Sequence, residues 1–318
     1  MKVGSIDLGS TSMHLAIAEL KEGQEPEVSA VHRSSVKLAA GWGSKSHELP
    51  SQVIADTISA MDRFAKICAD ENCDMIIATA TAPLRESVDS VRLLEQVRDE
   101  LGISIRVLTG PEEARLIYLG TRASLDGSDT QPMVFDIGGG STEFTLARGK
   151  ELVFSVSLSL GHMRLFQRVG HDDPPPPEQM ANLQARASAH LSPLRARMPG
   201  LSHGQLYSPS GGVRTLARLA LADPDTAPGK GDTGLVLTRE MLSELMTRLS
   251  HTPREEVKTW PGMDARRADT VCCSAAIVAA IMDLCGRDQV TTCDGGLRTG
   301  ILVDWSERIR RATTHRSG

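Results

Sequence analysis

The chain has 318 residues, enough for two domains of ordinary size, each with its own buried core. A formal net charge of −5, with 24% charged and 40% hydrophobic residues, describes a soluble globular protein and argues against a general nucleic-acid binder. No apolar stretch approaches the roughly 18 uncharged residues of a membrane-spanning helix. The opening "MKVGSIDLGS" breaks into glycine and aspartate too early for a secretory signal, so a cytoplasmic protein is expected.

In chain order, short strands are expected at 3–7 and 13–20, joined by the turn "DLGSTS", with another at 28–38. Residues 49–73 place Val53, Ile54, Ile58, Met61, Phe64, Ile67 and Cys68 at helical spacing behind a Pro-Ser boundary. A buried strand at 74–81 follows, then a helix at 90–102 stopped by glycine, a strand at 104–109 and a helix at 110–125 that opens on Gly-Pro. Strands alternating with helices favour an α/β fold with a mixed or parallel sheet. Residues 126–132, "DGSDTQP", carry loop chemistry, so the first domain is placed at 1–128 and the second at 129–318.

The second half starts with strand, turn, strand, turn, strand over 133–158. "HDDPPPPEQM" (171–180) reads as a stiff connector, with helices expected at 178–197, 211–222, 238–249 and 265–285 and a late strand at 289–293. The basic end "ERIRRATTHRSG" reads as a solvated, frayed tail. Six cysteines show neither CxxC nor disulfide-framework spacing; Cys272 and Cys273 are expected as small core hydrophobes of a buried helix.

The two halves begin alike. When "VGSIDLGSTSMHLAIA" (3–18) is laid over "MVFDIGGGSTEFTLA" (133–147), Asp7 meets Asp136, Gly9 meets Gly138, Ser12 meets Ser141 and Leu15 meets Phe144. A repeated strand–acid–glycine turn–strand unit predicts a duplicated fold with a cleft between the copies. Glycines let a ligand approach the backbone, and consecutive N–H groups of such a turn form a nest for an anion. Gly9, Ser10, Thr11 and Ser12 in one copy, and Gly138, Gly139, Gly140, Ser141 and Thr142 in the other, are therefore the candidate phosphate-binding residues. An aspartate beside a phosphate repels it, so Asp7, Asp136 and the nearby Glu143 imply a divalent cation to be held or a water to be oriented.

These motifs, together with "ATATAPLRES", "LTGPEEARLIYLG", "LSLGHMRL", "PGMDARRAD" and "GGLRTGIL", resemble the exopolyphosphatase / guanosine pentaphosphate phosphatase family, within the superfamily of actin, sugar kinases and heat-shock chaperone ATPases. The resemblance covers nearly the whole chain. It implies two actin-like (ribonuclease H-like) α/β domains with a cleft between them, and hydrolysis of a terminal phosphoanhydride by water with Mg²⁺, or Mn²⁺ as the alternative. By motif, Glu113 is the expected general base, Asp136 and Glu143 the acids that position metal and water, Asp7 a further metal ligand, and Arg85 a phosphate-holding arginine. Phosphoryl transfer asks for such positioning and charge neutralisation more than for covalent help. Glu112, at the same helix start, reads as a helix-dipole residue.

Arg164 and Arg298 stand as either cleft residues or surface ion pairs, while Gly211, Gly212 and Arg214 read as a distal phosphate or base contact or a plain helix turn. His14 reads as structural. Thr11, Pro83 and Thr299 depart from the family pattern, which leaves substrate choice open. The leading expectation is an exopolyphosphatase of short polyphosphate, because length fits the two-domain members. Guanosine pentaphosphate, a stringent-response substrate, is the alternative; a small-molecule kinase and a non-catalytic sensor are the lesser readings. A homodimer is the family expectation, with no nucleic-acid or membrane partner.

Overall fold

The computed structural model describes residues 1–21, 24–39, 47–125, 131–149, 151–169, 172–198, 204–221 and 232–314. They fall into two compact units, Met1–Gly120 with Gly295–Gly318, and Thr121–Asp294. Most of the expected 126–132 linker (126–130) lies outside the described residues.

The first unit begins with a meander, β1 (Lys2–Leu8), β2 (Met13–Glu19) and β3 (Glu27–Ser34). Then follow α1 (Ser51–Asp70), β4 (Met75–Ala80), the single turn α2 (Ala82–Glu86), α3 (Ser90–Leu101), β5 (Ile105–Val107) and α4 (Gly110–Thr121). The sheet order is β3-β2-β1-β4-β5, antiparallel through the meander and parallel from β1 onward. Helix α1 buries Ile54, Ala60, Met61, Phe64 and Cys68, an i, i+3/i+4 stripe, in one core with Ile6, Leu8, Leu15 and Ile17 of the sheet. Helix α3 stops where Gly102 turns left-handed (φ 66°) and returns its amide to the Arg98 carbonyl at 2.9 Å. The third strand is shorter than the expected 28–38.

The second unit repeats the plan. Its meander is β6 (Met133–Ile137), β7 (Thr142–Arg148) and β8 (Glu151–Leu158), followed by α5 (His162–Val169), α6 (Pro177–Leu191) and α7 (Leu194–Arg197). Next come β9 (Leu206–Ser208), α8 (Gly211–Leu221), β10 (Val236–Thr238), α9 (Arg239–Leu249), α10 (Arg254–Val257), α11 (Val271–Cys285) and β11 (Gln289–Thr292). The sheet order β10-β11-β9-β6-β7-β8, read from β8, is the series of the first unit with β10 added as an antiparallel edge. This is the duplicated α/β architecture that the internal repeat anticipates.

Three helical expectations need correcting. The helix expected at 178–197 is two, parted at Pro193, whose ring lacks the N–H that a continuous helix requires. The one expected at 265–285 starts only at Val271, after a 3-10 turn at Ala265–Arg267 whose Arg266 amide is capped by Asp264. Within α11, Cys273 is buried and its thiol is pushed up by burial, and Cys272 is pushed up to about 12 for the same reason. The third correction concerns the basic tail: α12 (Leu297–Thr314) runs through Glu307–Thr314, and residues 315–318 lie outside the described ones.

Helix α12 also redraws the expected boundary, because residues 295–318 belong with the first unit and not with 129–294. A Cβ on Gly120 would lie 2.2 Å from the Gly296 carbonyl oxygen, and one on Gly300 would lie 1.7 Å from that of Leu116. Only glycine lets α4 and α12 cross so closely. Arg115 seals the crossing with an ion pair to Asp304 at 2.7 Å, and Leu302 packs with Val3, Ala18 and Leu20. Among the described residues, no helix is long and apolar enough to cross a membrane.

Candidate active site

Each unit carries its turn at the end of its first hairpin, in the same register. Asp7 pairs with His14 across β1 and β2, and Asp136 pairs with Glu143 across β6 and β7. The closing hydrogen bond is the same as well: Gly9 donates to Ser12 at 3.1 Å and Gly138 to Ser141 at 2.9 Å. Residues opposite each other in an antiparallel pair share a face of the sheet, with Cβ atoms about 5 Å apart. The next pair along, Phe135 and Phe144, therefore stacks on the other face, its ring centroids 6.3 Å apart. Ser10, Ser12, Ser141 and Thr142 are buried, whereas Asp7, Gly9, Thr11 and Asp136 keep some exposure.

The second turn is held from behind. The amide of His162 donates to Gly138 O at 3.1 Å, and those of Met163 and Arg164 donate to Gly139 O at 3.0 and 3.1 Å. The Arg164 Nε donates to Gly140 O at 2.8 Å, and the Thr142 hydroxyl donates to Leu160 O. The first turn of α5 thus takes up the turn's carbonyls. Among the described residues, the amides of Gly139 and Gly140 donate to no acceptor, although both residues are buried. Buried N–H groups are nearly always paired, and two successive bare ones are what an anion nest presents. Arg164 is buried rather than on the surface, and its Nε braces the turn.

The duplication extends past the hairpins, beyond what the sequence alignment covers. Thr81 Oγ1 donates to Leu8 O at 3.3 Å, and Ser210 Oγ donates to Ile137 O at 3.1 Å. Four residues on, the amides of Arg85 and Arg214 return to Thr81 O and Ser210 O at 3.1 and 3.0 Å. The Nη1 of each then reaches the carbonyl just beyond the next parallel strand, Leu108 O at 2.9 Å for Arg85 and Cys293 O at 3.4 Å for Arg214. Each also meets an acid from that crossover: Glu113 at 2.8 Å from Arg85, and Asp294 at 3.8 Å from Arg214. Arg85 and Arg214 are thus counterparts, at equal spacing from their hairpins: Thr81 and Ser210 each lie 73 residues after the carbonyls of Leu8 and Ile137 that they bond.

The structure therefore brings Arg85 and Glu113 together, although the motifs gave them separate roles. Glu113 lies in the first turn of α4 and is 5% exposed. Its ion pair with Arg85 at 2.8 Å fixes the carboxylate in place. In the second unit, Glu143 is 3% exposed and its Oε1 accepts from Ser157 Oγ at 2.7 Å. Burial pushes the Asp136 carboxyl up, against the pull of Arg214 and Arg267. His162, buried beside Arg267, is driven down to about 3 by burial first and the guanidinium second, so it is neutral. Arg298 and Thr299 lie partly exposed in the first turn of α12, and Gly211, Gly212 and Arg214 form that of α8. Ser157, Ser210 and Arg267 were not singled out from the sequence; Ser157 had a readable signal, since it stands opposite Glu143 once β7 and β8 are aligned.

Among the described residues, no group of three His, Cys, Asp or Glu side chains is arranged to hold a metal ion. That rules out an all-protein cage there, but it fits Mg²⁺, which is held by one or two carboxylates plus waters and substrate phosphates. Two carboxylates directly opposite each other, one of them raised by burial, form a pair that a divalent cation would relieve.

Residues 16–309 match the Ppx/GppA phosphatase family. Exopolyphosphatase 1 of Mycobacterium tuberculosis is 30% identical over 308 residues, covering 95% of this chain and 88% of the relative. The crystal structure of the Aquifex aeolicus Ppx/GppA family member superposes with a TM-score of 0.81 at 26% identity, covering 97% of this chain and 98% of that one. An exopolyphosphatase from Cytophaga hutchinsonii gives a TM-score of 0.87 at 24% identity, over 96% of this chain and 98% of its own, a likeness of fold.

Proposed function

Because the chain belongs to the Ppx/GppA phosphatase family, we propose that it is an exopolyphosphatase, a hydrolase that releases orthophosphate from the end of an inorganic polyphosphate chain. The similarity to exopolyphosphatase 1 over nearly the whole chain supports polyphosphate as the substrate. The observation that carries the chemistry is the braced Gly138–Gly140 turn, with bare amides at Gly139 and Gly140 beside the Asp136–Glu143 pair.

Each group has a role that follows from its surroundings. The amides of Gly139 and Gly140 bind phosphate oxygens, as do the turn residues Gly9, Ser10, Thr11 and Ser12. Glu113, fixed in place by its ion pair with Arg85, accepts the proton of the attacking water. Arg85, held by Leu108 O and Glu113, presents a planar guanidinium suited to phosphate oxygens. Asp136 and Glu143 of the second unit would hold Mg²⁺, which would neutralise charge on phosphate oxygens, and Asp7 is the candidate ligand in the first unit. Six free cysteines support a reducing, cytoplasmic setting. Short chains as the preferred length and a homodimer as the assembly complete the proposal.

The test is orthophosphate release with Mg²⁺ from short polyphosphate, long polyphosphate and guanosine pentaphosphate in parallel, with Glu113→Gln and Glu143→Gln as controls. The expected result is release from short polyphosphate that falls by about 10²–10⁴ in each variant while substrate still binds. Release confined to guanosine pentaphosphate would move the substrate and keep the chemistry. Normal turnover in both variants would overturn the assignment.

A further inference from the structure

We infer that Ser157 is a positioning residue for Glu143, setting the orientation of that carboxylate. The inference rests on the hydrolase reading above. In the sheet register, Asp136 of β6, Glu143 of β7 and Ser157 of β8 are successive partners, so the three side chains form one row across three strands on one face. The Ser157 hydroxyl donates to Glu143 Oε1 at 2.7 Å, an ordinary hydroxyl–carboxylate hydrogen-bond length.

A glutamate has three side-chain torsions, and its carboxylate plane turns easily unless something fixes it. Glu143 is 3% exposed, so bulk water is a poor substitute for a protein donor. One oxygen fixed by Ser157 sets the plane of the whole carboxylate opposite Asp136, where the metal and water chemistry has been placed. Catalytic groups must be held within about 0.5 Å of their productive place. Because Ser157 acts on Glu143 and not on the substrate, its loss belongs in kcat and not in KM.

The experiment measures steady-state release of orthophosphate from short polyphosphate with Mg²⁺ for the full chain, Ser157→Ala, Ser157→Thr, Glu143→Ala and the double variant Ser157→Ala/Glu143→Ala, with thermal melting of each. Ser157→Ala should lower kcat about tenfold or more, the usual effect of losing a hydrogen bond to a charged group. Its KM should stay within about twofold, because the phosphate-binding turns are untouched. Ser157→Thr, which keeps the hydroxyl, should recover most of the rate. In the Glu143→Ala background, Ser157→Ala should change nothing further. Wild-type kcat in Ser157→Ala, a loss confined to KM, or an equal extra loss on top of Glu143→Ala would each overturn the inference. A rate loss that merely tracks a fall in melting temperature, without recovery by threonine, would do the same. Wild-type activity in Glu143→Ala would instead remove the hydrolase role of Glu143 itself.

Discussion

Replacing Gly161 by alanine separates the geometry of the second turn from the stability of the fold. An alanine Cβ there would sit 2.3 Å from Gly139 O, 2.4 Å from Gly139 C and 2.5 Å from Gly140 N. Ordinary contact begins at 3.4 Å, so about 1.1 Å (3.4 − 2.3) must be found, all of it against backbone. Gly139 O is also the acceptor for the amides of Met163 and Arg164, so moving the turn away strains those bonds. The stability cost should be that of overpacking, about 1–3 kcal/mol. A displacement of about 1 Å in groups that position a substrate should lower kcat/KM on the order of a hundredfold. The control is Gly102→Ala, where φ is +66° and no atom lies within 4 Å. It should cost about 1–2 kcal/mol of backbone strain and leave kcat/KM unchanged. Urea unfolding and initial rates of orthophosphate release read both effects. If Gly161→Ala keeps kcat/KM within about twofold of wild type, the turn does not hold the substrate as argued.

Two further outcomes follow from the same site. A chelator should abolish orthophosphate release and added Mg²⁺ should restore it, if Mg²⁺ is held at the facing pair Asp136 and Glu143 as proposed; full activity in excess chelator would refute the metal reading. His162 is driven down to about 3 from its usual 6.5, so the unfolded chain takes up a proton that the folded chain refuses. Its contribution is fully present above pH 6.5 and is lost as pH falls toward 3, amounting to about 2 kcal/mol by pH 5. His162→Gln should reduce the difference in urea-derived stability between pH 7 and pH 5 by about that amount. An unchanged difference would show that His162 is not shielded.

Much of the fold was legible because its signals are local. Apolar periodicity gave α1, and the acid-glycine turn repeated at Asp7 and Asp136 gave the duplication, since a hairpin and its turn need only neighbouring residues. Some short elements were not legible: β9, β10, α2 and α10, three to five residues long, carry too little periodicity to stand out, although the equally short β5 and β11 were expected. The break at Pro193 and the late start of α11 were written in proline and in the Asp264 cap, yet the apolar pattern runs across both.

By itself, the sequence determined that this is an α/β protein with two copies of a phosphate-type turn, each preceded by an acid. Composition, spacing and turn chemistry decide those matters within about a dozen residues. Tertiary structure alone decided that α12 returns to the first unit, because the fit of Gly120 against Gly296 and Gly300 joins residues far apart in the chain. It likewise decided that Arg85 holds Glu113, that Arg214 is its counterpart, and that Arg164 braces a turn. It also placed Ser157 on Glu143. A side chain's partner is set by register and crossover, and those are fixed only when the strands have paired.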